Sequence, residues 1–172
     1  MTTARTAPLP PVTEVITRMG HQLRERLAAL AIQDPFMIGI QTGGVWVAQQ
    51  LHQALQLPSL LGTLNINFYR DDFTRIGVHP MVTPTQLQER VVDRDIILVD
   101  DVLYTGRTVR AALNEIFDYG RPASVTLVTL VDRGGRELPI QADIVGLHIA
   151  LSAGEQIKLN GPQPLTLEIT HS

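Results

Sequence analysis

The chain has 172 residues, 44% of them hydrophobic and 18% charged, with a net charge of -3 and a pI of about 5.9. That length suits one domain, 1–172, and the acidic balance argues against a surface built for constitutive nucleic-acid binding. Cysteine is absent and His21, His52, His79, His148 and His171 lack metal-ligand spacing, which excludes disulfides, thiolate catalysis and a Cys/His zinc site.

Residues 1–11 are Thr-, Ala- and Pro-rich, are expected to fray, and contain no apolar leader core. No apolar run approaches the roughly 20 residues that span a bilayer, which predicts a cytoplasmic protein. Val12, Val15, Ile16, Met19, Leu23, Leu27 and Leu30 predict an amphipathic helix over 12–31, with Arg18, His21, Arg24, Glu25 and Arg26 on its solvated face. Phe36–Ile40 predicts a buried strand, Gln41–Gly44 a tight turn and 45–55 a second helix, after which Pro58 breaks the chain and 60–68 reads as a strand. The segment 69–95 has no clear period and contains Gly77, Pro80 and Pro84. Loops of this length inside a compact domain are functional or mobile.

Ile96–Val99 suits a strand buried on both faces, stopping where Asp100 and Asp101 surface. Beyond a small polar turn, Val109, Ala112, Leu113, Ile116 and Phe117 recur at helical spacing, closed by Gly120 and Pro122. Ser124–Val131 and Asp143–Leu151 read as strands, and 156–159 with 165–169 as a terminal hairpin around Asn160-Gly161-Pro162. Strands alternating with helices predict an α/β fold with a doubly wound, mostly parallel sheet. The polar turns Gln41–Gly44, Asp100–Thr108 and Asp132–Glu137 then converge on one rim, outside the carboxyl ends of the strands.

The turn before the third helix leaves backbone N–H groups unpaired and aimed at the loop, where a phosphate is the natural guest. It is neither a Walker A loop nor a dinucleotide glycine motif. Two carboxylates beside a phosphate turn suit a ribose phosphate, whose hydroxyls they accept directly or through Mg²⁺.

Val-Asp-Asp-Val-Leu-Tyr-Thr-Gly-Arg-Thr, from Val99 to Thr108, resembles the phosphoribosyl-pyrophosphate (PRPP) signature of type I phosphoribosyltransferases. Tyr69-Arg70-Asp71-Asp72-Phe73-Thr74, Tyr119-Gly120-Arg121-Pro122, Val131-Asp132-Arg133 and Arg136-Glu137-Leu138-Pro139 resemble the family's pyrimidine operon attenuation regulators, which are also uracil phosphoribosyltransferases. The resemblance implies the type I fold, with a small hood and the terminal hairpin. It also implies uracil and PRPP going to UMP and pyrophosphate, with Mg²⁺ held indirectly by Asp100 and Asp101, in a dimer or higher homo-oligomer. The implied catalytic positions are Asp100, Asp101, Arg70, Asp132 and Arg133. PRPP or nucleotide contacts fall on Thr42, Gly43 and Gly44. They continue over Asp100, Asp101, Val102, Leu103, Tyr104, Thr105, Gly106, Arg107 and Thr108. The loop 70–95 would close over the pyrophosphate.

Two departures bear on function. The first turn reads Thr42-Gly43-Gly44, preceded by Gln41, where the family has Thr-Arg-Gly and commonly a basic residue before it. Reduced activity is expected unless Arg70, Arg75, Arg107 or Arg133 compensates, and Gly43→Arg is expected to raise it if the missing cation is the defect. Leu147–Ala153 holds no Lys or Arg and Gln141 stands where arginine is frequent, so weak or absent RNA binding is expected. Two alternatives use the same residues: a catalytically weak PRPP or nucleotide sensor that regulates through RNA or protein contact, and a phosphoribosyltransferase for another base.

Overall fold

The computed structural model describes residues 8–66, 87 and 90–172. Helix α1 covers Val12–Ala29, strand β1 Phe36–Ile40, α2 Gly43–Leu55 and β2 Gly62–Leu64. Then come β3 over Asp95–Leu103, α3 over Arg107–Tyr119, β4 over Ser124–Asp132 and β5 over Ile144–His148. The strands β1 to β5 form one sheet in the order β2-β1-β3-β4-β5, every pairing parallel. Glu155–Asn160 and Thr166–His171 form the antiparallel hairpin β6-β7.

Side-chain alternation along the central strands feeds two cores. Met37, Ile97, Val99 and Val128 meet Met19, Leu23, Val47 and Leu51 of α1 and α2. Phe36, Ile38, Ile96 and Leu98 meet Val109, Ala112 and Ile116 of α3. Ile157, Leu159 and Leu165 of the hairpin join the first core, which holds the hairpin against the carboxyl end of the sheet. This is the doubly wound parallel arrangement expected from the alternating strands and helices.

The largest difference from expectation is at β3. The strand does not end at the aspartates but continues through both to Leu103, pairing Asp100 with Thr129 and Val102 with Val131. Asp100 is only 4% exposed, so one of the charges predicted to surface is buried. The chain supports it locally, since Asp100 Oδ1 accepts the Asp101 N–H at 2.9 Å. Helix α1 stops at Ala29, short of the predicted 31, because Ala31 takes a positive φ of 55°, and Leu30 stays exposed. Phe117 is exposed as well.

Strand β2 is three residues long, and positions 67 and 68 of its predicted extent lie outside the described residues. Strand β5 starts one residue late because Asp143 turns aside to accept the Leu127 N–H at 2.8 Å. Most of the predicted mobile loop 70–95, including Arg70, also lies outside the described residues. Leu87 and Val91 near its end are buried in the α3-side core.

Candidate functional site

Gln41, Thr42 and Gly43 reach one side of a cavity of about 530 Å³ at the carboxyl end of the sheet, just where β1 passes into α2. Its floor is the end of β3 and the turn that follows, with Asp100, Asp101, Tyr104 and Thr108 facing it. Arg133, from the turn after β4, and Ile157, Lys158 and Leu159, from β6, close the remaining sides. Two predicted turns and part of the third therefore meet around one space.

Glycine is a steric requirement where α2 begins. A Cβ on Gly44 would lie 2.6 Å from the Val99 carbonyl oxygen, and one on Gly43 would lie 2.2 Å from Asp101 Oδ2. The first turn of α2 thus packs directly on the aspartate pair, bringing the positive end of the helix dipole to the carboxylates. Asp101 Oδ1 accepts the Val102 N–H at 2.9 Å, while Oδ2 has no partner among the described residues. The Gly43 contact changes the expectation for Gly43→Arg, because the new side chain displaces the Asp101 carboxylate as it adds a cation. Both effects have the size of one charge-assisted hydrogen bond, about 1.5–3 kcal/mol. PRPP affinity in Gly43→Arg should stay within roughly threefold of the parent when measured by titration calorimetry. A tenfold gain would show that the carboxylate swings aside at no cost.

The start of α3 is built by a glycine turn. Gly106 is its N-cap at φ 93°, and a Cβ there would press within 3.0 Å of Ile140. The Thr105 carbonyl accepts the N–H groups of Glu137 and Leu138 at 3.0 and 3.2 Å, and Arg107 pairs with Glu137 at 2.7 Å. Arg136 clasps the turns together, donating to the carbonyls of Tyr104 and Ile140 and to the Asp132 carboxylate. Arg133 lays its guanidinium 3.9 Å from the Tyr104 ring centre, a cation–π contact at the cavity wall.

Not every predicted residue points into the cavity. Gly44 lies beneath it against β3, and Leu103 is buried in the α3-side core, its carbonyl accepting the Arg133 N–H at 3.1 Å. Asp132 is held by Arg136 and by the Gly134 N–H at 2.9 Å, and lines a separate hollow with Gln22 and His148. Burial alone would push the Asp132 carboxyl up. The Arg136 and Gly134 hydrogen bonds and the positive charge of Arg136 and His148 outweigh it, holding the group below its ordinary value.

The structure also adds Trp46 and Lys158, which the sequence reading did not place at the site. Lys158 carried a usable signal: it is the chain's only lysine and sits between two apolar residues of a predicted strand. Among the described residues no three Asp, Glu or His side chains gather to cage a metal ion. Two carboxylates at the cavity floor do match the way magnesium binds, through one or two protein carboxylates with substrate phosphates completing its shell.

The sequence model of the phosphoribosyl transferase domain matches residues 9–158. A "Bifunctional protein PyrR" of Nitrosococcus oceani is 64% identical over 162 residues, covering 93% of this chain and 92% of that protein. Another PyrR, of Pseudomonas syringae pv. tomato, is 55% identical over 94% of this chain and 95% of its own length. Among solved structures, a Trypanosoma cruzi hypoxanthine phosphoribosyl transferase superposes with a TM-score of 0.65 at 22% identity, covering 90% of this chain and 83% of that one. The Leishmania tarentolae HGPRT-ase in complex with GMP gives 0.63 at 15% identity, over 83% and 81%. These two likenesses concern the fold.

Proposed function

Because the chain belongs to the phosphoribosyl transferase family, on the branch of the bifunctional PyrR proteins, we propose that its cavity converts uracil and PRPP into UMP and pyrophosphate. The observation that carries this reading is the aspartate pair at the cavity floor, set between the N-terminal ends of α2 and α3. The amides and hydroxyls of Thr105–Thr108 hold the 5′-phosphate, and the carboxylates of Asp100 and Asp101 accept from the ribose hydroxyls. The first turn of α2, with no side chain at Gly43 and Gly44, receives the pyrophosphate on its backbone.

As the C1′–O bond breaks, positive charge spreads over C1′ and the ring oxygen, and the two carboxylates stabilise it more than they stabilise neutral substrate. The electron pair of that bond leaves with pyrophosphate. Uracil N1 bonds to C1′ from the side of Tyr104 and Arg133, and its proton passes to the released pyrophosphate. The hairpin roofs the cavity and keeps water from intercepting C1′. Asp100 and Asp101 would be the protein-side groups for a magnesium ion carried with PRPP, which would supply charge neutralisation to the leaving group.

The turn Gln41–Gly43 offers no cation to the leaving group, and this supports a slower enzyme or a nucleotide sensor on the same site. On the regulatory side, two basic groups of α1 are engaged within the chain, Arg18 donating to the Gly146 carbonyl and Arg26 pairing with Asp143 at 3.1 Å. Those contacts and the uncharged run after Gly146 support weak attenuation-type RNA binding. Among the described residues no helix is long and apolar enough to cross a membrane.

The test is a turnover assay with PRPP, Mg²⁺ and a panel of pyrimidine and purine bases. The expected result is UMP and pyrophosphate from uracil. UMP binding without turnover of any base would replace the enzyme by the sensor, and turnover of a different base would overturn uracil as the substrate.

A further inference from the structure

We infer that the Lys158 ammonium is a cation this chain supplies to the pyrophosphate of PRPP, reaching it from the hairpin where the turn before α2 offers none. The inference rests on the reading that the cavity takes PRPP, and it adds a catalytic residue to that site. In strand β6, Ile157 and Leu159 are buried, 8% and 4% exposed, and Lys158 between them is exposed. It lines the same cavity as Thr42, Gly43 and the two aspartates.

Charge bookkeeping around the cavity narrows the choice. Asp100 and Asp101 are anionic, and Arg133 is stacked 3.9 Å from the Tyr104 ring, on the wall assigned to the base. Lys158 is the remaining cationic side chain lining the cavity among the described residues. Its cross-strand neighbour Glu168 accepts from Asn160 Nδ2 at 3.2 Å, and the Lys158 ammonium makes no hydrogen bond or ion pair among the described residues. An exposed ammonium on a four-carbon stem is mobile enough to meet an anion wherever it lies along that side. Pyrophosphate, departing with several negative charges, gains most from it, whereas neutral uracil gains little.

The test compares the parent chain with Lys158→Gln and Lys158→Arg, titrating PRPP, inorganic pyrophosphate and UMP separately by calorimetry in Mg²⁺. Losing one charge-assisted contact should weaken PRPP and pyrophosphate in Lys158→Gln by about tenfold or more, and Lys158→Arg should recover most of that loss. UMP, which lacks the pyrophosphate, should bind within roughly twofold of the parent. Turnover should fall with the PRPP affinity while the KM for uracil stays unchanged. Unchanged PRPP affinity in Lys158→Gln, or equal weakening of UMP, overturns the inference and leaves the substrate reading standing. Failure of the parent chain itself to bind PRPP overturns both.

Discussion

Gly44→Ala should lower the melting temperature by about 2–12 °C and abolish PRPP use. The added Cβ would sit 2.6 Å from the Val99 carbonyl oxygen and 3.1 Å from the Asp100 Cα, both backbone atoms of the central strand. A flexible side chain can swing away from such an intrusion. A strand paired along much of its length on each side cannot, so α2 must lift instead. Overpacking costs about 1–3 kcal/mol, and a chain of this size loses roughly 2–4 °C per kcal/mol. Lifting α2 also withdraws its first amides and Thr42 from the cavity. Calorimetric melting together with PRPP titration checks the prediction, and a variant that melts with the parent and binds PRPP normally would refute it.

Asp101→Asn should leave the fold intact and weaken PRPP use by at least about tenfold, the 1.4 kcal/mol scale of one partner lost from a charged hydrogen bond. The amide keeps an oxygen to accept the Val102 N–H, now at 2.9 Å from Oδ1, so the strand end is preserved. What disappears is the negative charge beside the first turn of α2, facing the ribose. The effect should appear in turnover with PRPP and in PRPP affinity, with melting unchanged. Full activity in Asp101→Asn would remove the carboxylate from the mechanism.

Much of this architecture is written locally. Phe36–Ile40 is a short apolar run bounded by Pro35 and Gln41, and the strand occupies those bounds. The periodic run after Thr108 becomes α3, and Asn160 ends β6 with Gly161-Pro162 in the connection to β7. Local pattern fails where tertiary contacts decide. Nothing near Asp100 announces that a strand will carry a carboxylate into a buried position. That depends on Thr129 and Val131 of β4 pairing beside it and on a glycine turn from α2 lying against it. Lys158 is distant in sequence from every motif at the site and arrives only because Ile157 and Leu159 anchor β6 to the α1/α2-side core. Asp132 shows the opposite effect: its sequence neighbourhood suggested the cavity, yet Arg136 draws it toward another hollow.

The Arg18 guanidinium resting on the Gly146 carbonyl has a consequence for how copies of this chain can meet. Strand β5 is an outer strand of the sheet, and an open outer strand is a template for another chain to extend. Helix α1 packs against β5 so closely that a Cβ on Gly146 would touch Val15 and Met19, and Arg18 occupies the carbonyl an incoming strand would need. At the opposite border β2 offers three residues, too few for firm pairing. Among the described residues, both margins of the five-stranded sheet are therefore blunted against the addition of a strand from another copy.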